Sequence, residues 1–149
     1  MTLFGPPAND TSGSNAGSAE EAKQAATGGR PPRILIAEDE YLIALEIENR
    51  LLDAGFEVVG IAVTADEAIS IAGSTSPDLA IMDIRLAGRK DGVQAAIELF
   101  TTLGVRSIFA TAYADARTHE RASAASPIAW LQKPYSAEAL IKVIEEYLK

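Results

Sequence analysis

Leu79-Ala80-Ile81-Met82 is an unbroken apolar run that ends on a carboxylate, Asp83. Four apolar residues between polar loops read as a strand buried on both faces, the pattern of a parallel sheet covered by helices. Before it, Arg33-Ile-Leu-Ile-Ala37 and Glu57-Val-Val-Gly-Ile-Ala62 read as strands, and after it so do Ser107-Ile-Phe-Ala-Thr111 and Ile128-Ala-Trp-Leu131. Segments of helical period lie between them. Residues 41–54 carry Leu42, Leu45, Leu51 and Leu52 with Gly55 just past the end. Thr64-Ala-Asp-Glu67 reads as a capping box opening a helix to about residue 73, and a helix over about 92–103 closes at Gly104. Ser136 caps a last helix whose Leu140, Ile141, Val143, Ile144, Tyr147 and Leu148 share one face. Residues 114–125 offer only Ala as apolar residues, so the fourth helix is expected to be weak, short or partly disordered.

Five such units with short links predict an α/β fold, a doubly wound (βα)5 five-stranded parallel sheet of flavodoxin-like type. The domain is expected over residues 33–149, a length sufficient for one buried core. Residues 1–32 hold 5 of the 11 Gly and 4 of the 7 Pro but only Met1, Leu3 and Phe4 as large apolar residues. That composition predicts a disordered N-terminal tail.

Composition removes several function classes. The chain has no Cys and one His, His119, which excludes disulfides, zinc ribbons, thiol nucleophiles and a Ser-His-Asp triad. No apolar run nears the ~18 residues of a membrane span, and no signal peptide is visible, so a cytoplasmic protein is expected. The net charge of −8, from 13 basic and 21 acidic residues, disfavours nucleic acid or an anionic membrane as partner. His119 reads as a solvated surface residue. No phosphate-binding glycine motif supports nucleotide binding.

In an open parallel sheet the functional crevice lies beyond the carboxyl ends of the strands. Those ends bring Glu38, Asp39 and Glu40 from strand one, Asp83 from strand three, Thr111 from strand four and Lys133-Pro134 after strand five. Acidic residues at such places commonly mark helix starts, and Glu40 reads that way. Asp83, after a wholly apolar strand, does not. Clustered carboxylates raise one another's pKa or demand a cation, and a hard divalent ion such as Mg²⁺ meets that demand. Lys133 and Thr111 could then receive phosphoryl oxygens, with an Asp as phosphoryl acceptor.

Ile-Ala-Glu38-Asp39-Glu40, Ile-Met-Asp83-Ile-Arg85, Phe109-Ala-Thr111-Ala-Tyr113 and Leu-Gln-Lys133-Pro134-Tyr135 resemble, in order and spacing, the CheY-like receiver domains of two-component response regulators. The resemblance covers about residues 33–149. It implies that Asp83 accepts a phosphoryl group from a sensor histidine kinase or histidine phosphotransferase. It implies that Glu38, Asp39, Asp83 and the backbone carbonyl of Arg85 hold Mg²⁺, and that Thr111 and Lys133 contact the phosphoryl group. Trp130 matches the aromatic that reports the switch, although a half-buried strand residue covering the core explains it equally well. Tyr113 reads either as packing over the fourth strand or as a gate, and with Arg85 it could shield the acyl phosphate from water.

Phe109-Ala-Thr111-Ala112-Tyr113, with Pro127 ahead of Trp130 and Lys133, is similar to the FAT GUY subfamily of alphaproteobacterial receivers, some of which act in the general stress response. Ala112 replaces the usual Gly of that motif, Ala87 stands where a Pro is common, and the loop to Gly92 is one residue longer than in chemotaxis-type receivers.

The expected function is therefore a single-domain phosphoacceptor that signals through protein contacts or a phosphorelay. The face of the fourth helix, fifth strand and last helix is the expected output surface. A monomer or weak homodimer is expected, with Tyr135 and Tyr147 near that surface. Beyond its own phosphoryl transfer and dephosphorylation, no enzyme activity is expected. A binding-only pseudo-receiver is the alternative. A haloacid-dehalogenase-type phosphatase is disfavoured, because strand one ends in Glu38-Asp39-Glu40 rather than Asp-x-Asp and no cap fits the length.

Overall fold

Along the first strand, Ile34 and Ile36 point to one side of the sheet and Leu35 and Ala37 to the other, and all four are buried. A strand buried on both sides needs helices on both, and the computed structural model, which describes residues 28–149, has them. The elements are β1 (Arg33–Ala37), α1 (Tyr41–Asp53), β2 (Glu57–Ala62), α2 (Ala65–Thr75), β3 (Leu79–Asp83), α3 (Gly92–Leu103), β4 (Ser107–Thr111), α4 (Ala116–Ala122), β5 (Ala129–Gln132) and α5 (Ala137–Tyr147). A 3₁₀ turn, Ser123–Ala125, links α4 to β5. All strand pairs are parallel, in the order β2-β1-β3-β4-β5.

The α1 and α5 helices pack Ala44, Ile47, Leu51, Leu140 and Ile144 against Ile34, Ile36, Ile81 and Ile108. On the other side α2 and α3 present mostly alanines, Ala65, Ala68, Ala72, Ala95 and Ala96, to Leu35, Met82 and Phe109. Small side chains let those helices approach the sheet closely. The fourth helix is formed but short, because Ala122 and then Ala125 of the following turn are its only buried anchors. Arg121 adds a polar hold, its Nη2 lying 3.1 Å from Asp91 Oδ2.

Two local readings change. The Thr64 box is only half closed: Thr64 Oγ1 accepts from the Glu67 N–H at 3.0 Å, but the Glu67 carboxylate takes the Val63 N–H at 2.8 Å instead of that of Thr64. The closed capping box is Asp91 with Gln94, at the head of α3. Arg30–Pro32, given to the tail on composition, are tied to the sheet. Arg30 makes two bonds to Asp78, at 2.8 and 3.0 Å, and the Pro32 carbonyl accepts from the Glu57 N–H. The rest of the expected tail lies outside the described residues. Among the described residues no helix is long and apolar enough to cross a membrane.

Candidate functional site

The order in which successive strands are added reverses between β1 and β3, since β2 lies on one side of β1 and β4 beyond β3 on the other. The connections leaving β1 and β3 therefore part above their carboxyl ends and leave a crevice. Glu38 follows β1 and is 3% exposed, Asp83 ends β3 and is 6% exposed, and Asp39 is exposed at the rim. One carboxylate oxygen from each lies within 4.8 Å of the other two.

Lys133 compensates the two buried acids. Its Nζ stands 2.8 Å from Glu38 Oε1 and 2.9 Å from Asp83 Oδ2. It is carried there by the end of β5, whose Lys133 N–H donates to the Thr111 carbonyl at 2.8 Å. The second oxygen of each acid takes a backbone donor from its own loop: Glu40 N–H to Glu38 Oε2, and Arg85 N–H to Asp83 Oδ1, both 3.1 Å. Burial lifts the Glu38 carboxyl, Lys133 and the Glu40 N–H oppose it, the Asp83 charge adds to it, and the net direction is upward. Burial works against the Lys133 ammonium, but its bonds to Glu38 and Asp83 outweigh that and hold its pKa above the ordinary lysine value. Beside them, burial pushes the Tyr135 phenol up to about 12.

Thr111 reaches the same rim, but its hydroxyl is committed to its own loop. Oγ1 donates to the Tyr113 carbonyl at 2.9 Å and accepts from the Tyr113 N–H at 3.2 Å. Tyr113 is 78% exposed, so its ring does not cover the pocket in this structure. Trp130 is half-buried and stacks on Phe109 with ring centroids 4.7 Å apart, as a residue covering the core would. His119 is exposed, as expected, and its ring also lies over the other side of Trp130 at 3.9 Å. A cavity of about 470 Å³ separates these rings from Thr111 and Tyr113. Tyr147 is half-buried beneath the Arg106 guanidinium, 5.2 Å from its ring centre, and Tyr135 is half-buried too.

The structure brings Glu38, Asp39, Asp83 and Lys133 together at the strand ends, with Thr111 and Arg85 on the same rim. Sequence reasoning missed how tightly α3 is seated. A Cβ on Gly92 would sit 1.9 Å from the Asp83 carbonyl oxygen, and the Gly92 N–H donates to the Ile84 carbonyl at 2.7 Å. The Asp91-x-x-Gln94 spacing was the available signal for that helix start. Tyr41 (57% exposed) and Leu42 (81%) form an apolar shoulder at the head of α1, directly after the acidic residues.

Residues 34–145 match the response regulator receiver domain family. The chain is 40% identical over 115 residues to the transcriptional regulatory protein PdtaR of Mycobacterium tuberculosis, covering 77% of this chain and 56% of that one. It is 38% identical over 124 residues to the phyllosphere-induced regulator PhyR of Methylorubrum extorquens, covering 82% and 46%. It thus spans about half the length of these relatives. Among solved structures, the signal receiver domain of a modulated diguanylate cyclase from Desulfovibrio desulfuricans G20 superposes with a TM-score of 0.74 at 35% identity, covering 79% of this chain and 94% of that one.

Proposed function

This chain belongs to the response regulator receiver family, and on that premise we propose that it is a phosphoacceptor whose acceptor is Asp83. The observation that carries this reading is the single ammonium of Lys133 bound to both buried acids, Glu38 and Asp83, at the switch point of the sheet. An oxygen of the Asp83 carboxylate attacks the phosphorus of a phosphohistidine. The P–N bond breaks and its electron pair returns to the donor imidazole, leaving an acyl phosphate on Asp83.

Glu38, Asp39, Asp83 and the backbone carbonyl of Arg85 would hold a hard divalent cation. Their donors are all oxygen, and three carboxylates within 4.8 Å of one another fit Mg²⁺. Such an ion, when bound, neutralises charge on the phosphoryl oxygens. Lys133 transfers one of its hydrogen bonds from Asp83 to a phosphoryl oxygen. Thr111 supplies a hydroxyl donor once it releases the Tyr113 carbonyl. Tyr113, exposed here, would have to swing inward to cover the acyl phosphate with Arg85 and keep water from it. The reaction modifies the chain itself and turns over no separate substrate.

The donor is a sensor histidine kinase or a histidine phosphotransferase, and the apolar shoulder of Tyr41 and Leu42 beside the acids suits a helical protein of that kind. Output runs through the surface of α4, β5 and α5, or through onward phosphoryl transfer. Membership of the FAT GUY subfamily, and with it a role in the general stress response, rests on Phe109-Ala-Thr111-Ala-Tyr113 and is supported by the identity to PhyR.

Intact mass after incubation with acetyl phosphate tests the reading. One added phosphoryl group, dependent on Mg²⁺ and absent from Asp83→Asn, is expected. An adduct that persists in Asp83→Asn would overturn the assignment.

A further inference from the structure

The box at the head of α2 stays half closed because Glu67 is engaged elsewhere. Its Oε1 accepts the Val63 N–H at 2.8 Å, one residue earlier than the N–H that a closed capping box would bond. Val63 in turn faces the phosphoacceptor loop. Its carbonyl accepts the Ala87 N–H at 3.1 Å, and Thr64 and Ala87 form a parallel β-bridge. Ala87 belongs to the segment that leaves β3 at Asp83 and enters α3 at Gly92. A carboxylate on α2 is thereby joined, through one residue, to the loop that carries Arg85.

Two carbonyls along this path are held from both sides. The Val63 carbonyl lies between the Val63 N–H, fixed by Glu67, and Thr64, fixed at the start of α2. There the Thr64 carbonyl accepts the Ala68 N–H at 3.1 Å and its hydroxyl accepts the Glu67 N–H at 3.0 Å. The Arg85 carbonyl is bracketed in the same manner. Ahead of it the Arg85 N–H donates to Asp83 Oδ1 at 3.1 Å, and beyond it the Ala87 N–H donates to Val63. With both neighbouring N–H groups bonded, the peptide between Arg85 and Leu86 has little freedom to turn. Ordering a free backbone costs conformational entropy. A ligand carbonyl that is already ordered spares an incoming cation that cost.

We propose that Glu67 is a positioning residue for the divalent cation: through Val63 and Ala87 it holds the loop so that the Arg85 carbonyl is ready to serve as a ligand. The proposal rests on the reading in which that carbonyl joins Glu38, Asp39 and Asp83 around Mg²⁺. Glu67 contacts neither the ion nor the phosphoryl group and acts only through the two hydrogen bonds. It is exposed, so substituting it leaves the core intact.

Two measurements on the full-length chain test it, neither of them using phosphoryl transfer. In the metal-free protein, amide exchange at Ala87 should be at least fivefold faster in Glu67→Ala than in wild type, with the amides of β4 unchanged. Calorimetric titration with Mg²⁺ should give a Kd about three- to tenfold higher in Glu67→Ala, the scale of one lost hydrogen bond outside the ligand set. Glu67→Gln separates the hydrogen bond from the charge, because it keeps an acceptor oxygen at the same reach and loses only the charge. It should stay within twofold of wild type in both measurements. Unchanged Ala87 exchange or an unchanged Kd in Glu67→Ala would overturn the proposal. So would a Kd raised as far in Glu67→Gln as in Glu67→Ala, since Glu67 would then act only as a distant charge. If wild type and both variants bind Mg²⁺ equally, the positioning role falls and the metal site stands. If wild type binds no Mg²⁺, the reading of the metal site falls and the proposal with it.

Discussion

Gly92 and the Asp83 main chain are in such close register that a Cβ at residue 92 would lie 1.9 Å from the Asp83 carbonyl oxygen and 2.8 Å from its carbon. Both atoms are backbone, so no side-chain rotation relieves the overlap. Either α3 moves away from the sheet or the end of β3 moves. Gly92→Ala should lower stability by about 1–3 kcal/mol, the usual cost of overpacking. It should also slow modification of Asp83, because displacement falls on the proposed acceptor itself. Urea unfolding, with acetyl phosphate labelling under conditions where the variant is folded, separates the two effects.

Asp91 serves two partners that different substitutions can part. Its carboxylate accepts the Gln94 N–H at 2.9 Å as the cap of α3, and it also receives Arg121 from α4. Asn is as good a cap as Asp but carries no charge. Asp91→Ala should cost about 1 kcal/mol through the lost cap. Asp91→Asn should cost only the exposed ion pair, under ~1 kcal/mol. Equal losses in thermal unfolding would show that the cap does not stabilise α3.

The sheet topology was legible because three of the five strands, β1, β3 and β4, carry buried apolar runs, and the links between all five are too short for anything but alternating helices. Glu38, Asp83 and Lys133 were legible for the same reason, since strand ends can be counted and their side chains share one rim. Contacts that depend on three-dimensional closeness rather than period were not. Arg30 reaches Asp78 across 48 positions, and His119 meets Trp130 only because the short α4 folds back over β5. The polarity of α4 correctly signalled a short helix but said nothing of what holds it. Composition placed Arg30–Pro32 in the tail because a single ion pair leaves no compositional trace.

His119 shields Trp130 from one side while Phe109 stacks on the other. His119→Ala should therefore raise acrylamide quenching of the sole tryptophan and shift its emission to the red, with little change in stability. An unchanged quenching constant would mean that the stack is not populated in solution.

Asp78 gathers the Arg30 guanidinium and the Arg33 N–H at the lower edge of the sheet. Burial alone would raise its pKa, but these partners prevail and hold it below the ordinary aspartate value. A carboxyl depressed on folding stabilises above its unfolded pKa of ~3.9 and loses that contribution as pH falls through the lower folded value. Asp78→Ala should cost about 1–2 kcal/mol at neutral pH, chiefly by leaving the Arg33 N–H without its acceptor. The gap from wild type should hold from pH 7 to pH 5 and shrink below about pH 4. Denaturant midpoints across that range provide the check.

Removing Lys133 exposes the conflict that it resolves. In Lys133→Ala two buried carboxylates would face each other with Asp39 at the rim and no ammonium between them. Breaking a buried charge pair in this way costs about 3–5 kcal/mol when the remaining charge cannot escape. Glu38 has an escape, because its pKa is already above the ordinary value through burial, and loss of the Lys133 bond raises it further. A carboxyl whose pKa rises on folding weakens the fold when ionised and ceases to do so once protonated in both states. The variant should therefore be closer to wild type at pH 5 than at pH 8, a narrowing that falls in a pH window where the Asp78→Ala gap is constant. A divalent cation offers the same carboxylates a second remedy. At pH 8 millimolar Mg²⁺ should raise the melting temperature of Lys133→Ala more than that of wild type, where Lys133 already neutralises part of the site. An equal shift in both proteins would mean that the ion and the ammonium do not share the charge of Glu38 and Asp83.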